Sequence, residues 1–454
     1  MHKKSPLGKI ESVVHDLELI TEGRLLIMDF TQNQRLMQIN EQTLIIGIDI
    51  AKHKHVARAI DDRGIDLSKR LIFPNSLEGF KLLLEWANKL SEETGRSKLM
   101  IGMEPTGHYW MNLAYFLKSQ GISPVVVNPM KVKKSKELDD DSPTKNDTKD
   151  AKVIAQVIRA GRYHEPVLPE GLYAELREGV KLYDIIQEDL SSIKAQIHNA
   201  LDRFFPEFLT VFKEWDGKTA LYLLKCGYLP EDICKKTEEE LLLEVKTSVK
   251  NISISRIRKL KEAATSSVGL TVGLRMGREE IRYLVEQFHL LNERLQVLKE
   301  ELEQLVLQIP GAERMIAIKG IGSMTIVGFF AEVGDLSNYR DPRQIIKLAG
   351  LNLMMNQSGK HKGKTTITKR GRRRLRSILY QVARPLACHN VGFKALHYYY
   401  KNRRNNPLKG KQSYVALGRK LIKILFVMGT QKREFSEERM LQDIPHITNL
   451  QVAA

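Results

Sequence analysis

Two carboxylates lie three residues apart where an apolar-periodic segment begins. Asp147 and Asp150 precede the apolar positions of residues 151–158, whose spacing predicts a helix, so both side chains share one face of its first turn. Neighbouring carboxylates repel each other unless a cation lies between them. The simpler interpretation is a helix N-cap, because the backbone dipole favours acidic residues at helix starts. Taken alone, the pair favours the cap.

The positions of two further carboxylates favour a metal site over a helix N-cap. Asp49 interrupts the buried strand predicted over residues 44–50, and Glu104 follows the strand predicted over residues 98–103. Residues 44–163 predict the order βββαβαβα, in which strands one and four are neighbours and the last helix packs across them. Four carboxylates at one edge of a sheet would need divalent cations. Oxygen ligands without His or Cys favour Mg²⁺ or Mn²⁺, and two Mg²⁺ ions suit phosphoryl transfer.

Four segments carry a resemblance to a known family. They are Gly47-Ile-Asp-Ile-Ala-Lys52, Glu104-Pro-Thr-Gly-His-Tyr-Trp110, Val127-Asn-Pro129 and Lys145-Asn-Asp-Thr-Lys-Asp-Ala151. In this order they resemble the RuvC-like half of the DEDD insertion-sequence transposases, the insertion-sequence family numbered one hundred and ten, whose members act as bridge-RNA-guided recombinases. The resemblance implies a RuvC/RNase H-like mixed sheet with flanking helices. It also implies that Asp49, Glu104, Asp147 and Asp150 are catalytic metal ligands.

A basic segment near the C-terminus predicts contact with a phosphate backbone. Nine of the residues from Lys360 to Arg376 are Lys or Arg, and they lie between apolar segments with glycine-based turns. A solvated face is the usual alternative. Upstream, Gly320-Ile-Gly322 resembles a helix-hairpin-helix turn that could hold a phosphate, although an ordinary helix–helix turn has the same pattern. The predicted nucleic-acid-binding residues are Gly320, Gly322, Lys360, Lys362, Lys364, Lys369, Arg370, Arg372, Arg373 and Arg374.

Ser358 lies just before this basic segment, followed by Gly359. A serine beside a turn glycine is usually a loop residue. We assign it no neighbouring His or Asp as a base, which excludes a hydrolase triad. The C-terminal half of the resembled family carries a nucleophilic serine in a Ser-Gly loop ahead of Ile-Thr-Lys-Arg-Gly, which stands here at residues 367–371. The resemblance therefore implies that Ser358 is catalytic, although Leu353 stands where the family pattern has Pro.

Residues 166–310 have the pattern of long helices. Apolar positions recur three and four residues apart from Tyr183 to Phe204 and again from Ile281 to Ile309, which predicts a coiled-coil seam. The seam fits two helices that pack within one chain. It equally fits an antiparallel pair that also carries dimerisation, as the resemblance implies. Residues 206–275 between the helices predict an irregular insertion.

The length of 454 residues predicts two or three domains. We expect an N-terminal extension (1–43), a RuvC-like DEDD catalytic domain (44–165), a helical coiled-coil region with the insertion (166–310), a mainly helical C-terminal transposase domain with the serine (311–400), and a basic tail (401–454). The fold class is thus α/β plus α.

Charge and composition indicate a polyanionic partner. Lys and Arg number 72 against 54 Asp and Glu, giving a net charge of +18, which favours nucleic acid. A membrane surface is the competitor, but no apolar run approaches the roughly 20 residues of a spanning helix. Three widely spaced cysteines and the lack of an N-terminal apolar region fit a reducing cytoplasm. The family resemblance implies a bacterial or archaeal cell and association with the nucleoid.

The sequence favours a DNA transposase or recombinase that cuts and rejoins strands without net hydrolysis. Its expected partners are double-stranded DNA and, by resemblance, a structured noncoding guide RNA and further copies of the chain in a dimer or tetramer. The main alternative is a RuvC-like, structure-selective endonuclease with water as the nucleophile. A non-catalytic nucleic-acid-binding protein is a third class. A sugar kinase is set aside because no Gly-rich phosphate loop accompanies Asp49.

Overall fold

The structure is a computed structural model that describes residues 32–139, 147–249, 252–354, 357–358, 361–362 and 365–442. Only the backbone is described for residues 137–139, 147–149, 357–358 and 361–362. The chain divides into two compact units, Met1–Leu168 and Pro169–Ala454. The N-terminal residues 1–31 of the predicted extension lie outside the described residues.

A six-stranded sheet forms the centre of the first unit. Its strands are β1 (Thr43–Asp49), β2 (Lys54–Ile60), β3 (Leu71–Pro74), β4 (Lys98–Met103), β5 (Val125–Val127) and β6 (Tyr163–His164). Their order in the sheet is β3-β2-β1-β4-β5-β6. β1 runs parallel to β4 and β4 to β5, whereas the other pairs are antiparallel. The predicted meander and the pairing of strands one and four are confirmed; the two-residue β6 was not predicted.

Helices cover both faces of this sheet. They are α1 (residues 32–37), α2 (Leu77–Thr94), α3 (Tyr109–Ser119), α4 (Pro129–Asp139) and α5 (Asp147–Arg159). On β1, Leu44, Ile46 and Ile48 share a core with α2 and α3, while Ile45 shares a second core with α4 and α5. The strand is buried on both sides, which explains its continuous apolar run.

Two long helices, α6 (Gly171–Phe204) and α12 (Leu274–Leu307), pack against each other in the second unit. The predicted seam is therefore filled, at least in part, from within the same chain. Ile197 and Ala200 of α6 and Ile281 and Val285 of α12 lie in one core. The dimerisation role of the seam stays a prediction.

The prediction that residues 206–275 are irregular was wrong. The insertion folds into α7 (Phe208–Val211), α8 (Lys218–Cys226), α9 (Pro230–Cys234), α10 (Glu238–Ser248) and α11 (Ile254–Thr265). Phe208, Leu223, Leu241 and Ile257 are fully buried in their common core. Helices of 4 to 12 residues are too short to show a sustained period in the sequence.

The remaining helices form a C-terminal bundle. They are α13 (Ala312–Ile316), α14 (Ser323–Val333), α15 (Pro342–Leu348), α16 (Arg373–His389), α17 (Val391–Asn402), α18 (Gly410–Gln431) and α19 (Glu437–Leu441). Leu176 of α6 and Val306 of α12 are buried in the core of this bundle, so the base of the long helical pair is built into it. Across the described ranges, no helix is long and apolar enough to cross a membrane.

Candidate active site

Strand alternation places Asp49 and Glu104 on one face of the sheet. Residues two apart on a strand lie on the same face, so Asp49 follows Ile45 and Gly47 toward α5. Gly47 pairs with Gly102 in the parallel register of β1 and β4. Continuing that register by two residues brings Asp49 beside Glu104, on strands about 4.8 Å apart. The prediction that these strands bring the two residues together therefore has a structural basis.

The paired glycines allow α5 to lie directly on the strands. A Cβ atom at Gly47 would lie 2.3 Å from the carbonyl oxygen of Ala151 and 2.4 Å from the amide nitrogen of Ala155. At Gly102 a Cβ would lie 2.4 Å from Cδ1 of Ile158. Side chains on either strand would push the helix away. Glycine at both positions thus brings the first turn of α5, which carries Asp150, over the carboxyl ends of β1 and β4.

Polar contacts fix α5 along its length. Near the start, Nζ of Lys152 lies 2.8 Å from Oδ2 of Asp66, which also pairs with Arg58 of β2 at 3.0 Å. Near the end, Nη1 of Arg159 donates to the carbonyl oxygen of Arg63 at 2.6 Å. These contacts hold the helix start in place without using the predicted site residues.

Glu104 and Asp150 both interact with one cation, Lys136. Burial raises the pKa of Glu104, Lys136 opposes that shift, and the charge of Asp150 adds to it. Nζ of Lys136 lies 2.6 Å from Oδ2 of Asp150. Glu104 and Asp150 therefore interact, and an ammonium group offsets part of the negative charge that they concentrate.

Lys136 belongs to α4, which sequence analysis treated only as a basic segment. The signal was present: Asn128 precedes Pro129, and its Oδ1 accepts a hydrogen bond from the Met130 amide at 2.9 Å. Val132 of this helix is buried against the α5 core. The helix therefore brings a lysine to the carboxylate edge.

Asp147 is the first residue of α5, one turn before Asp150, and its side chain is not described. Within the described residues, no three Asp, Glu, His or Cys side chains lie close enough to hold a metal ion. Asp49, Glu104 and Asp150 thus share an edge without forming a complete ligand set by themselves. Their donor chemistry, carboxylate oxygen throughout and a need for positive charge, fits a hard divalent cation.

Ser358 lies on a narrow β-ribbon of the second unit. β7 (Leu353–Met354) pairs with β10 (Thr366–Ile367), and β8 (Gln357–Ser358) pairs with β9 (His361–Lys362). The register places Ser358 opposite His361. The assignment of no neighbouring His to Ser358 therefore overlooked a residue that the ribbon brings to its cross-strand position. The spacing of three residues between Ser358 and His361 in the sequence is the signal that could have identified it.

The basic segment divides into two groups. Lys369, Arg370 and Arg373 are exposed and have no ion pair within the described ranges, as a phosphate-binding residue requires. Arg372 instead donates to the carbonyl oxygen of Glu332, and burial lowers its pKa. Arg374 reaches α6.

Two contacts anchor Arg374 there. Its Nη2 donates to Oδ1 of Asp184 at 2.9 Å, and its Nη1 donates to the carbonyl oxygen of Val180 at 3.1 Å. Arg372 and Arg374 are thus engaged inside the protein. Lys360 and Lys364 lie outside the described residues, and Lys362 is described in backbone only.

The two glycines of the turn before α14 differ in their surroundings. Gly320 has a φ of 95°, and a Cβ there would lie 3.2 Å from Cα of Leu386. Gly322 begins α14 as its N-cap, and a Cβ there would meet nothing within 4 Å. Glycine at position 320 therefore permits close packing against Leu386. At Gly322 there is space for a ligand to reach the start of α14. The helix-hairpin-helix interpretation stays a prediction.

Comparison with known proteins places these residues in a family. A DEDD transposase model of the IS110 type matches residues 46–206, which include all four predicted carboxylates. A second model, described as transposase of the IS116/IS110/IS902 family, matches residues 312–400, which include Ser358. The chain belongs to the IS110 family of transposases. It is therefore a DNA transposase, and the DEDD family implies dependence on a divalent metal.

Individual relatives agree with this IS110-family assignment. An uncharacterized 44.8 kDa protein of insertion element IS116 from Streptomyces clavuligerus is 24% identical over 88% of this chain and 98% of its own length. A protein described as the transposase for the IS117 mini-circle of Streptomyces coelicolor is 23% identical over 70% of this chain and 78% of its own. The transposase for element IS1111A of Coxiella burnetii is 29% identical over 28% of this chain and 34% of its own.

Proposed function

We propose that this IS110-family transposase cuts and rejoins DNA through a covalent bond between Ser358 and a strand phosphate. One observation carries the catalytic assignment in the first unit: Gly47 and Gly102 seat α5 so that Asp150 interacts with Glu104 at the edge where Asp49 ends β1. The oxygen-only donors of this edge suit a hard divalent cation.

We propose that Asp49, Glu104, Asp147 and Asp150 hold Mg²⁺ or Mn²⁺. When bound, the metal would supply Lewis-acid stabilisation of the oxygens on phosphorus. The chain's own contribution is to fix these acids on two parallel strands and one helix start. Lys136 offsets their mutual repulsion through its contact with Asp150.

In the proposed reaction, Oγ of Ser358 forms a bond to phosphorus while the bond from phosphorus to the 3′-oxygen breaks. The serine proton passes to a base, and the leaving 3′-oxygen gains a proton. We propose His361 as this base, because the backbone register pairs it with Ser358. Attack by a 3′-hydroxyl on the phosphoserine then restores the serine, so the strands are rejoined without net hydrolysis.

We further propose that the carboxylates and the serine act on one phosphate, from one subunit or from two in a dimer or tetramer. A structured noncoding RNA is the proposed guide to the DNA sites. The net charge of +18 is compatible with an RNA partner besides DNA, and the proposal of a guide RNA rests on the family resemblance.

The test is to produce the chain together with RNA transcribed from the DNA that flanks its gene. Co-purifying RNA would be sequenced, and a covalent protein–DNA adduct would be sought with the wild type and with Ser358→Ala. We expect RNA and an adduct with the wild type, and no adduct with the variant. Strand cleavage by Ser358→Ala at the wild-type rate would instead support a water-using endonuclease. Absence of both RNA and adduct would refute the proposal.

A further inference from the structure

The insertion contains a cavity that the proposed chemistry does not use. It has a volume of about 790 Å³ and is bounded by the end of α7, the start of α8, the end of α10 and the first turn of α11. This region falls within residues 207–311, which neither matched family segment includes. Its function therefore cannot be carried over from the family segments.

The cavity has an excess of positive charge. Lys213, Lys218 and Arg256 line it together with one acid, Glu214. All three cations are exposed, and none forms an ion pair within the described part of the chain. Other cations of the insertion do find partners.

Three ion pairs involve residues of the insertion. Lys194 of α6 pairs with Asp216 at 3.8 Å, and Arg258 of α11 pairs with Glu238 at 3.4 Å. Arg278 of α12 contacts Asp232 at 2.9 Å. Acids neutralise these three cations, whereas Lys213, Lys218 and Arg256 stay available to an anion in the cavity.

The start of α8 contributes backbone donors to the cavity. Gly217 is its N-cap and supplies no side-chain cap, and the first helical hydrogen bond runs from the Leu221 amide to the Gly217 carbonyl at 2.9 Å. The amides of Lys218, Thr219 and Ala220 precede that bond and are left for another acceptor. By contrast, α11 is capped by Oγ of Ser253. An open helix start favours an anion.

Thr219 is the observation that points to a ligand. It lines the cavity although only 7% of its surface is exposed, and its hydroxyl forms no hydrogen bond to any described residue. Its oxygen is not among the fully buried side-chain atoms that lack a partner, so the hydroxyl remains accessible to a ligand in the cavity. An acceptor in the cavity would satisfy this hydroxyl together with the adjacent amides.

We infer that this cavity binds backbone phosphates of a nucleic acid. Amides, a hydroxyl and three unpaired cations match the oxygens of a phosphodiester, and they contact the backbone without reading bases. The inference rests on the chain being a DNA transposase. It does not depend on the Ser358 or carboxylate chemistry.

The first test compares two triple variants of the full-length protein. Lys213→Gln/Lys218→Gln/Arg256→Gln removes the cavity cations. Lys225→Gln/Lys246→Gln/Lys259→Gln removes the same charge from exposed, unpaired lysines of α8, α10 and α11 outside the cavity. Affinity for a labelled DNA duplex and a labelled RNA hairpin would be measured by fluorescence anisotropy at salt concentrations from about 50 to about 300 mM. The slope of log affinity against log salt concentration then reports the number of phosphate contacts.

We expect the cavity variant to bind at least one of the two nucleic acids about tenfold more weakly, with a salt slope lower by about 1–2, and the control to change far less. Thr219→Val, which alters no charge, should weaken the same complex by about threefold. Equal losses in both triple variants would overturn the inference, because they would show diffuse attraction. Thermal unfolding of each variant would confirm that the insertion stays folded.

A footprint locates the contact directly. Acetylation of Lys213 and Lys218 should be suppressed by bound nucleic acid, while Lys225 stays reactive. Equal protection by inorganic phosphate or a nucleoside triphosphate at matched phosphate concentration would overturn the inference in favour of a small-anion site. Protection should persist in Ser358→Ala, so failure of the proposed recombination chemistry would not be confused with failure of this site.

Discussion

The carboxylate edge of the first unit and the serine ribbon of the second are built in opposite ways. Asp49 and Glu104 lie at the carboxyl ends of parallel strands whose central residues are buried, beneath a helix that packs closely on Gly47 and Gly102. Ser358 lies on a ribbon of two-residue strands whose outer residues Leu353 and Met354 are about half exposed. The six-stranded sheet can hold charges that repel each other in fixed positions, whereas Ser358 lies on a strand of only two residues. Such preorganisation suits the acids.

The largest effect should come from Ser358→Ala. It is expected to abolish the covalent adduct and reduce strand exchange by about 10³-fold or more, because the bond-forming oxygen is lost. Asp49→Asn should be as severe. Adduct formation on a labelled duplex would be followed on denaturing gels. We expect no change in the unfolding temperature of Ser358→Ala. A lower unfolding temperature would show that Ser358 has a structural role, and the contrast with the carboxylate edge would then fail.

Gly47→Ala is expected to lower the stability of the fold strongly. Its Cβ would overlap backbone atoms of Ala151 and Ala155, which predicts a loss of about 2–4 kcal/mol in the free energy of unfolding. The matched control is Gly322→Ala, where the space is open and φ is −86°. Urea unfolding measures both. Near-equal stability of the two variants would show that α5 does not depend on close approach to β1.

His361→Gln tests the ribbon by itself. If His361 is the base for Ser358, the rate of adduct formation should fall by about 10²-fold and its pH profile should change, because the group that accepts the serine proton is lost. The unfolding temperature should stay unchanged. A full rate with an unaltered pH profile would remove His361 from the mechanism and leave Ser358 in place.

Arg373 and Arg374 are neighbours on α16 with different surroundings. Arg374→Gln should lower stability by about 1 kcal/mol, because it removes the contacts to Asp184 and Val180. Arg373→Gln should preserve stability and lower the salt slope of DNA binding by about 1. Paired unfolding and binding titrations separate the two effects. The reverse pattern would assign the phosphate contact to Arg374.

The smallest effect should be a change of stability with pH in Glu104→Gln. Burial raises the pKa of Glu104, so the folded state favours the neutral acid, and its contribution to stability is lost as pH rises through that raised pKa. In a metal chelator, the variant should unfold at a slightly higher temperature than the wild type at pH 8 and at the same temperature at pH 4. It should nevertheless be inactive. A lower unfolding temperature at pH 8 would contradict the assigned shift.

Much of the first unit could be predicted because its signals are local. The apolar run that ends at Asp49 predicts a strand, and the apolar spacing after Asp147 predicts a helix, each from its own residues. The helices of the insertion could not be predicted in this way. Short helices become stable only through partners far along the chain, as Ile257 does against the core that includes Phe208 and Phe288.

By itself, the sequence determined which residues were candidates: four acids, a serine in a Ser-Gly pair and a basic segment. Only the tertiary structure decided how they are used. The parallel register placed Asp49 beside Glu104, and the glycine pair brought Asp150 to them. Packing against α6 engaged Arg374 and left Arg373 exposed. Residue type sets what a side chain can do, but its burial and its partners come from segments distant in the chain, which no local pattern encodes.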